Sequence, residues 1–135
     1  MLGEQLGEER GQVTGMRVLP GEGGELKVEV SFQASGSILG VEMSDMATYI
    51  SILRPDGTLY GTGQGIVMTS DGEAFPWAGS GIGWPAGSGM AASYRGAVYY
   101  RPSSERFARL NRLAAVFEFD VDENGQTTGK IWEWS

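Results

Sequence analysis

The sequence predicts an all-β fold, a closed eight-stranded antiparallel meander barrel with one short helix, as a single domain over residues 1–135. Apolar and polar residues alternate in short runs, as in Leu26, Val28, Val30 and Phe32 against Lys27, Glu29, Ser31 and Gln33, which is the pattern of a sheet with one buried face. Tight-turn dipeptides separate the runs at Pro20-Gly21, Asp56-Gly57, Asp71-Gly72 and Asn124-Gly125. Glycine recurs at every second position in Gly61-x-Gly63-x-Gly65 and Gly79-x-Gly81-x-Gly83, the mark of strands that bend sharply or admit another group close to the backbone. Tight turns make neighbours antiparallel, and about eight such strands close around a lumen that side chains or one small ligand fill. A two-layer β-sandwich is the alternative.

In chain order, the first strand runs from Glu8 to Leu19 and the second from Glu25 to Ala34. Gly36 to Asp45 keeps no clean period and is read as a continuation past a bulge. Thr48 to Arg54 turns at Pro55-Asp56-Gly57 into the glycine strand, where Tyr60, Thr62, Gln64, Ile66 and Met68 oppose the glycines. Glu73 to Ile82, Met90 to Arg101, Leu113 to Asp122 and Gln126 to Trp134 complete the count. Ser103 to Asn111 is the helical candidate, a serine cap followed by Phe107 and Leu110 three apart.

Composition excludes several chemistries. Zero cysteine removes disulfides, thiolate nucleophiles and zinc-thiolate sites, and zero histidine removes the commonest general base and zinc ligand. No cofactor is implied. The net charge of −7 opposes binding to a phosphate backbone, so nucleic acid is not an expected partner. The N-terminal stretch has neither a basic flank nor an apolar run, and no segment reaches membrane-spanning length; the chain reads as cytoplasmic, with no membrane association.

The glycine repeats lack the spacing and lysine of phosphate loops. Asp120, Asp122 and Asn124 match the start of an EF-hand loop, but Ile131 stands where a closing glutamate is required, so a polar hairpin turn without metal is the reading. Arg95, Arg101, Arg106, Arg109 and Arg112 face a single acid, Glu105, over their segment, which suits either anion capture or a solvated basic face. From Gly57 to Tyr94 only Asp71 and Glu73 are charged, so both faces of these strands lack charge. That predicts a homo-oligomer, a dimer or trimer, with a glycine face approached by a second subunit and Arg101, Arg106 or Arg109 pairing with its acids.

The meander, its glycine-bent strands and its lumen are similar to the allene oxide cyclase and dirigent group of calycin-like eight-stranded barrels. Arg95-Gly96, Leu110-Asn111, Phe117-Glu118 and Trp132-Glu133-Trp134 also resemble uncharacterised small prokaryotic barrel proteins. The resemblance implies an architecture; no catalytic motif of those cyclases matches residue by residue.

Two functions follow. The first is a barrel that binds a small apolar or aromatic molecule through Tyr49, Tyr60, Gln64, Trp77, Tyr99, Phe117 and Trp132. The alternative is an isomerase or cyclase that shapes a hydrophobic substrate inside the lumen, with Glu118, Arg95 and Tyr99 as its polar groups. Phe117 and Phe119 facing inward would send Glu118 outward, so the enzyme reading requires the opposite offset.

Overall fold

Eight antiparallel strands pair in chain order, and the last returns to the first. The computed structural model describes residues 1–135, with β1 (Leu2–Leu19), β2 (Leu26–Ile38), β3 (Val41–Leu53), β4 (Leu59–Thr69), β5 (Ala74–Pro85), β6 (Ala92–Tyr100), β7 (Ala115–Val121) and β8 (Gln126–Trp134) forming one closed barrel. Closure comes from β1, long enough to pair with β2 along one edge and with β8 along the other. No edge strand is left to recruit another chain.

The stretch read as irregular is a two-residue hairpin between β2 and β3. Ile38 faces Val41, and the turn residues Leu39 and Gly40 both have positive φ (48° and 77°), as the mirror-image hairpin turns require. Leucine is unusual there. Its amide donates to the Leu6 carbonyl at 2.8 Å and its side chain packs against the core, so tertiary contacts hold a conformation that the residue itself disfavours.

The expected helix is absent. Residues 101–114 cross one end of the barrel with only a 3-10 turn, Ala108–Arg112. Residues three apart align in that geometry, and it drives both Phe107 (0 % exposed) and Leu110 (2 %) into the barrel end against Ile38, Phe75 and Tyr100. Asn111 donates to the Pro102 carbonyl at 2.9 Å and fixes the loop. Arg106 pairs with Asp71 and Glu73, while Arg109 pairs with Glu4 and Glu133, so these two arginines clamp the plug to their own chain and are not free for a neighbour's acids.

The glycine faces point into the barrel. A Cβ at Gly61 would lie 3.3 Å from the Tyr94 ring, at Gly81 3.0 Å from Phe117, and at Gly65 2.4 Å from the Trp77 indole nitrogen. Missing side chains make room for rings. The expected approach of a second subunit to a glycine face is therefore corrected, because the lumen already occupies that face. The opposite phase forms the outer wall, where Met46, Tyr60, Ile66, Met68, Ile82 and Tyr99 are exposed. The expectation of a dimer or trimer now rests on that wall alone.

Candidate functional site

Inside the barrel, two carboxylic acids meet across a strand of small residues. Glu9 on β1 is in register with Gly36 of β2, and Asp45 on β3 is in register with Ala34 of the same strand, so nothing bulky separates them. Both are buried, at 8 % and 5 % exposure. On β5, Trp77 lies in register with Gly65 of β4; with no Cβ below it, the indole passes over β4 and donates from Nε1 to Asp45 Oδ1 at 2.8 Å. Tyr100 of β6 stands directly beside Trp77 across the next strand pair.

Two like charges in a dry lumen cannot both persist, and the protons sort accordingly. Burial pushes the Glu9 carboxyl well above the usual range, and the neighbouring Asp45 adds to this by repulsion and by accepting its hydrogen bond. Burial raises Asp45 as well, but the hydrogen bonds from Trp77 and Glu9 pull it back down. Of the two, Glu9 is the stronger holder of a proton, and Asp45 is the one whose charge the Trp77 hydrogen bond favours. Burial first, and then the negative charge carried by the acid pair, pushes the Tyr100 phenol well up, so it stays protonated. Its hydroxyl makes no hydrogen bond within the chain.

Beside the acids lies an aromatic layer. Phe32 and Phe119 have ring centroids 4.9 Å apart, and Tyr49 sits edge-on to Phe119 (5.8 Å) and to Tyr94 (5.7 Å). Tyr94 exchanges a 2.8 Å hydrogen bond with Ser51. Burial, with Tyr94 a smaller contributor, pushes the Tyr49 phenol up. Between this layer and the carboxyl pair is a half-open cavity of ≈ 90 Å³, lined by Glu9, Asp45, Trp77, Tyr100 and the rings. At about 30 Å³ for each water, that is room for about three waters or for part of a small organic molecule.

Of the residues singled out in the sequence, Tyr49, Trp77 and Phe117 line this cavity, and Glu118 borders it from a strand position whose side chain is exposed. The others lie outside. Tyr60 and Tyr99 are exposed on the outer wall (36 % and 54 %), Gln64 is exposed and donates to the Thr48 carbonyl at 3.1 Å, and Trp132 borders a shallow outer groove with Tyr60 and Arg95. Arg95 and Glu118 are cross-strand neighbours, but on the outside. The Arg95 guanidinium sits 5.6 Å from the Trp84 ring and donates to the Tyr94 carbonyl. Placement of Arg95, Tyr99 and Glu118 inside the lumen is thus corrected: Phe117 takes the inward phase, and a strand's side chains alternate. Asp122 caps its hairpin by accepting from the Asn124 and Gln126 amides, both at 2.9 Å.

Glu9 and Asp45 were not identified from sequence as site residues, whereas Tyr94 and Tyr100 belong to the aromatic set that the sequence offers as pocket lining. The signal for the acids was phase: Gly7-x-Glu9-x-Gly11-x-Val13 and Met43-x-Asp45-x-Ala47-x-Tyr49 each place one carboxylate in an otherwise inward-facing series.

No protein-family model matches this chain, and no curated protein does. Several solved structures share its fold. A conserved protein of unknown function from Rhodopseudomonas palustris superposes with a TM-score of 0.82 at 10 % identity, covering 98 % of this chain and 97 % of its own. A β-barrel-like protein from Acinetobacter baumannii does so at 0.82 and 11 %, over 98 % and 94 %. An enzyme from Penicillium herquei superposes at 0.70 with 18 % identity, over 96 % and 92 %. At these identities the likeness is one of fold.

Proposed function

We propose that the lumen is an acid–base site, and that the protein is an isomerase or cyclase moving a proton on a small, largely apolar molecule held there. The observation that carries this reading is the Glu9–Asp45 pair beside the aromatic cavity: Glu9 is the stronger holder of a proton, and the Trp77 hydrogen bond favours charge on Asp45. Burying two carboxyl groups costs stability, and environments that split two acids into donor and acceptor recur at catalytic sites. Confinement among Phe32, Tyr49 and Phe119 supplies placement, which such reactions need more than a nucleophile. That one solved structure of the same fold is an enzyme, from Penicillium herquei, is consistent with this reading.

Binding without chemistry is the second reading, favoured by the preponderance of rings around the cavity. Deuterium exchange separates the two. Small apolar compounds are incubated with the protein in heavy water, and occupancy is followed by the Trp77 indole N–H resonance. A compound that shifts this resonance is expected to gain carbon-bound deuterium, with the rate falling about 100-fold or more in Asp45→Asn, as removal of a general base does. Bound compounds that exchange equally with both proteins leave only binding, and a library that never shifts the resonance ends both readings.

A further inference from the structure

We infer that the Tyr100 hydroxyl holds an oxygen of the substrate, and that the substrate is a carbonyl compound whose oxygen becomes negative during the reaction. This rests on the acid–base reading of the same lumen. Tyr100 is 7 % exposed, lines the cavity and stands beside Trp77, yet its hydroxyl has no partner in the chain. The fully enclosed unpaired hydroxyls of the chain are those of Ser104 and Thr127; the Tyr100 oxygen is not one of them and opens onto the cavity, where a bound molecule can pair it. Among the other polar groups on this cavity, Glu9 and Asp45 are hydrogen-bonded to each other and Trp77 donates to Asp45, while Tyr49 belongs to the aromatic layer.

A hydroxyl donor and a carboxylate on one largely apolar cavity fit one class of chemistry. Asp45 takes a proton from the carbon next to a carbonyl, and the C–H electron pair becomes a carbon–carbon double bond as the carbonyl π pair moves onto oxygen. The resulting enolate oxygen accepts the Tyr100 O–H bond, which strengthens as charge develops. When the substrate also carries a β,γ double bond, the oxygen lone pair reforms the carbonyl, the enolate double bond shifts to the α,β position, and the β,γ π pair takes the same proton from Asp45 at the γ carbon, which completes an isomerisation with no other reactant. A tyrosine whose phenol stays protonated donates at any working pH. Trp77 acts here as a positioning residue for Asp45.

The test uses a matched pair, cyclopentanone and methylenecyclopentane, which share a shape but differ in one acceptor oxygen. Binding is read from the Trp77 indole N–H resonance in the full-length protein and in Tyr100→Phe, a change that removes only the unpartnered hydroxyl. The native protein is expected to favour the ketone about tenfold or more, as a hydrogen bond in a dry site gives, and the variant to lose that preference while binding the alkene unchanged. Equal binding of the two by the native protein, or a preference that survives in Tyr100→Phe, overturns the assignment of Tyr100 and leaves the acid–base reading standing. Failure of both compounds to bind overturns both. Loss of folding in Tyr100→Phe would show that the hydroxyl serves the fold and would also overturn the inference.

Discussion

Gly36→Ala should destabilise the protein by about 3 kcal/mol or more, at the upper end of what overpacking costs. A Cβ at this position would lie 1.9 Å from the Glu8 carbonyl oxygen and 2.8 Å from the Glu9 Cα, both backbone atoms that no side-chain rotation can move. Relief requires β1 and β2 to shift, which displaces Glu9 from Asp45 as well. Gly15→Ala is the control. It lies in the same β1–β2 ribbon, has nothing within 4 Å of a new Cβ and does not have a positive φ, so the change should be neutral or slightly stabilising through the unfolded chain. Urea unfolding of the two variants checks both; similar midpoints would mean that close strand approach at Gly36 does not constrain the barrel.

Glu9→Gln should remove a loss of stability that the native protein suffers as pH rises. In the folded chain Glu9 keeps its proton well above the ordinary glutamate value of 4.5, whereas the unfolded chain releases it there. The folded state then binds more protons than the unfolded one, so stability falls as pH climbs from about 4.5 towards the folded-state pKa. Each unit of elevation is worth about 1.4 kcal/mol. Asp45, raised in the same direction, adds to the slope from its own lower starting point. Glutamine donates a hydrogen bond to Asp45 without ionising. The variant should therefore match the native protein near pH 4.5 and exceed it by more than about 1 kcal/mol at pH 8. Growing self-repulsion of an acidic chain acts on both proteins equally, so their difference isolates Glu9. Parallel stability curves from pH 5 to 8 would contradict the account.

The barrel was legible because its cause is local: alternation, turn dipeptides and the lack of helical crossovers are each visible over a few residues. The inward phase of Val30 and Phe32 follows directly from the pattern of β2. Boundaries were less so. Leu39 adopts a turn conformation that its residue type disfavours, held by the Leu6 carbonyl, which is distant in sequence. The segment from Ser103 to Asn111 keeps only a 3-10 turn, although Phe107 and Leu110 enter the barrel end together as their spacing implies. The inward face was legible where bulk decides it, as at Tyr49, Trp77 and Phe117, and was misplaced where polar residues were chosen for their chemistry, as at Arg95, Tyr99 and Glu118. Glu9 and Asp45 escaped notice because acids are ordinarily exposed, and their meeting depends on the register of three strands. The glycines of β4 and β5 were seen as bends; that they cradle Trp77, Tyr94 and Phe117 appears only when the barrel is closed.

The central claim is that one proton is held between Glu9 and Asp45 inside the lumen. Carbon-13 NMR of the side-chain carboxyl groups, followed from pH 3 to pH 8, tests it most directly. The Glu9 carboxyl carbon should remain at its protonated shift through the range around 4.5 where a free glutamate ionises, with Asp45 losing its proton first. A Glu9 resonance that titrates near 4.5, independently of Asp45, would contradict the shared proton and with it the acid–base site.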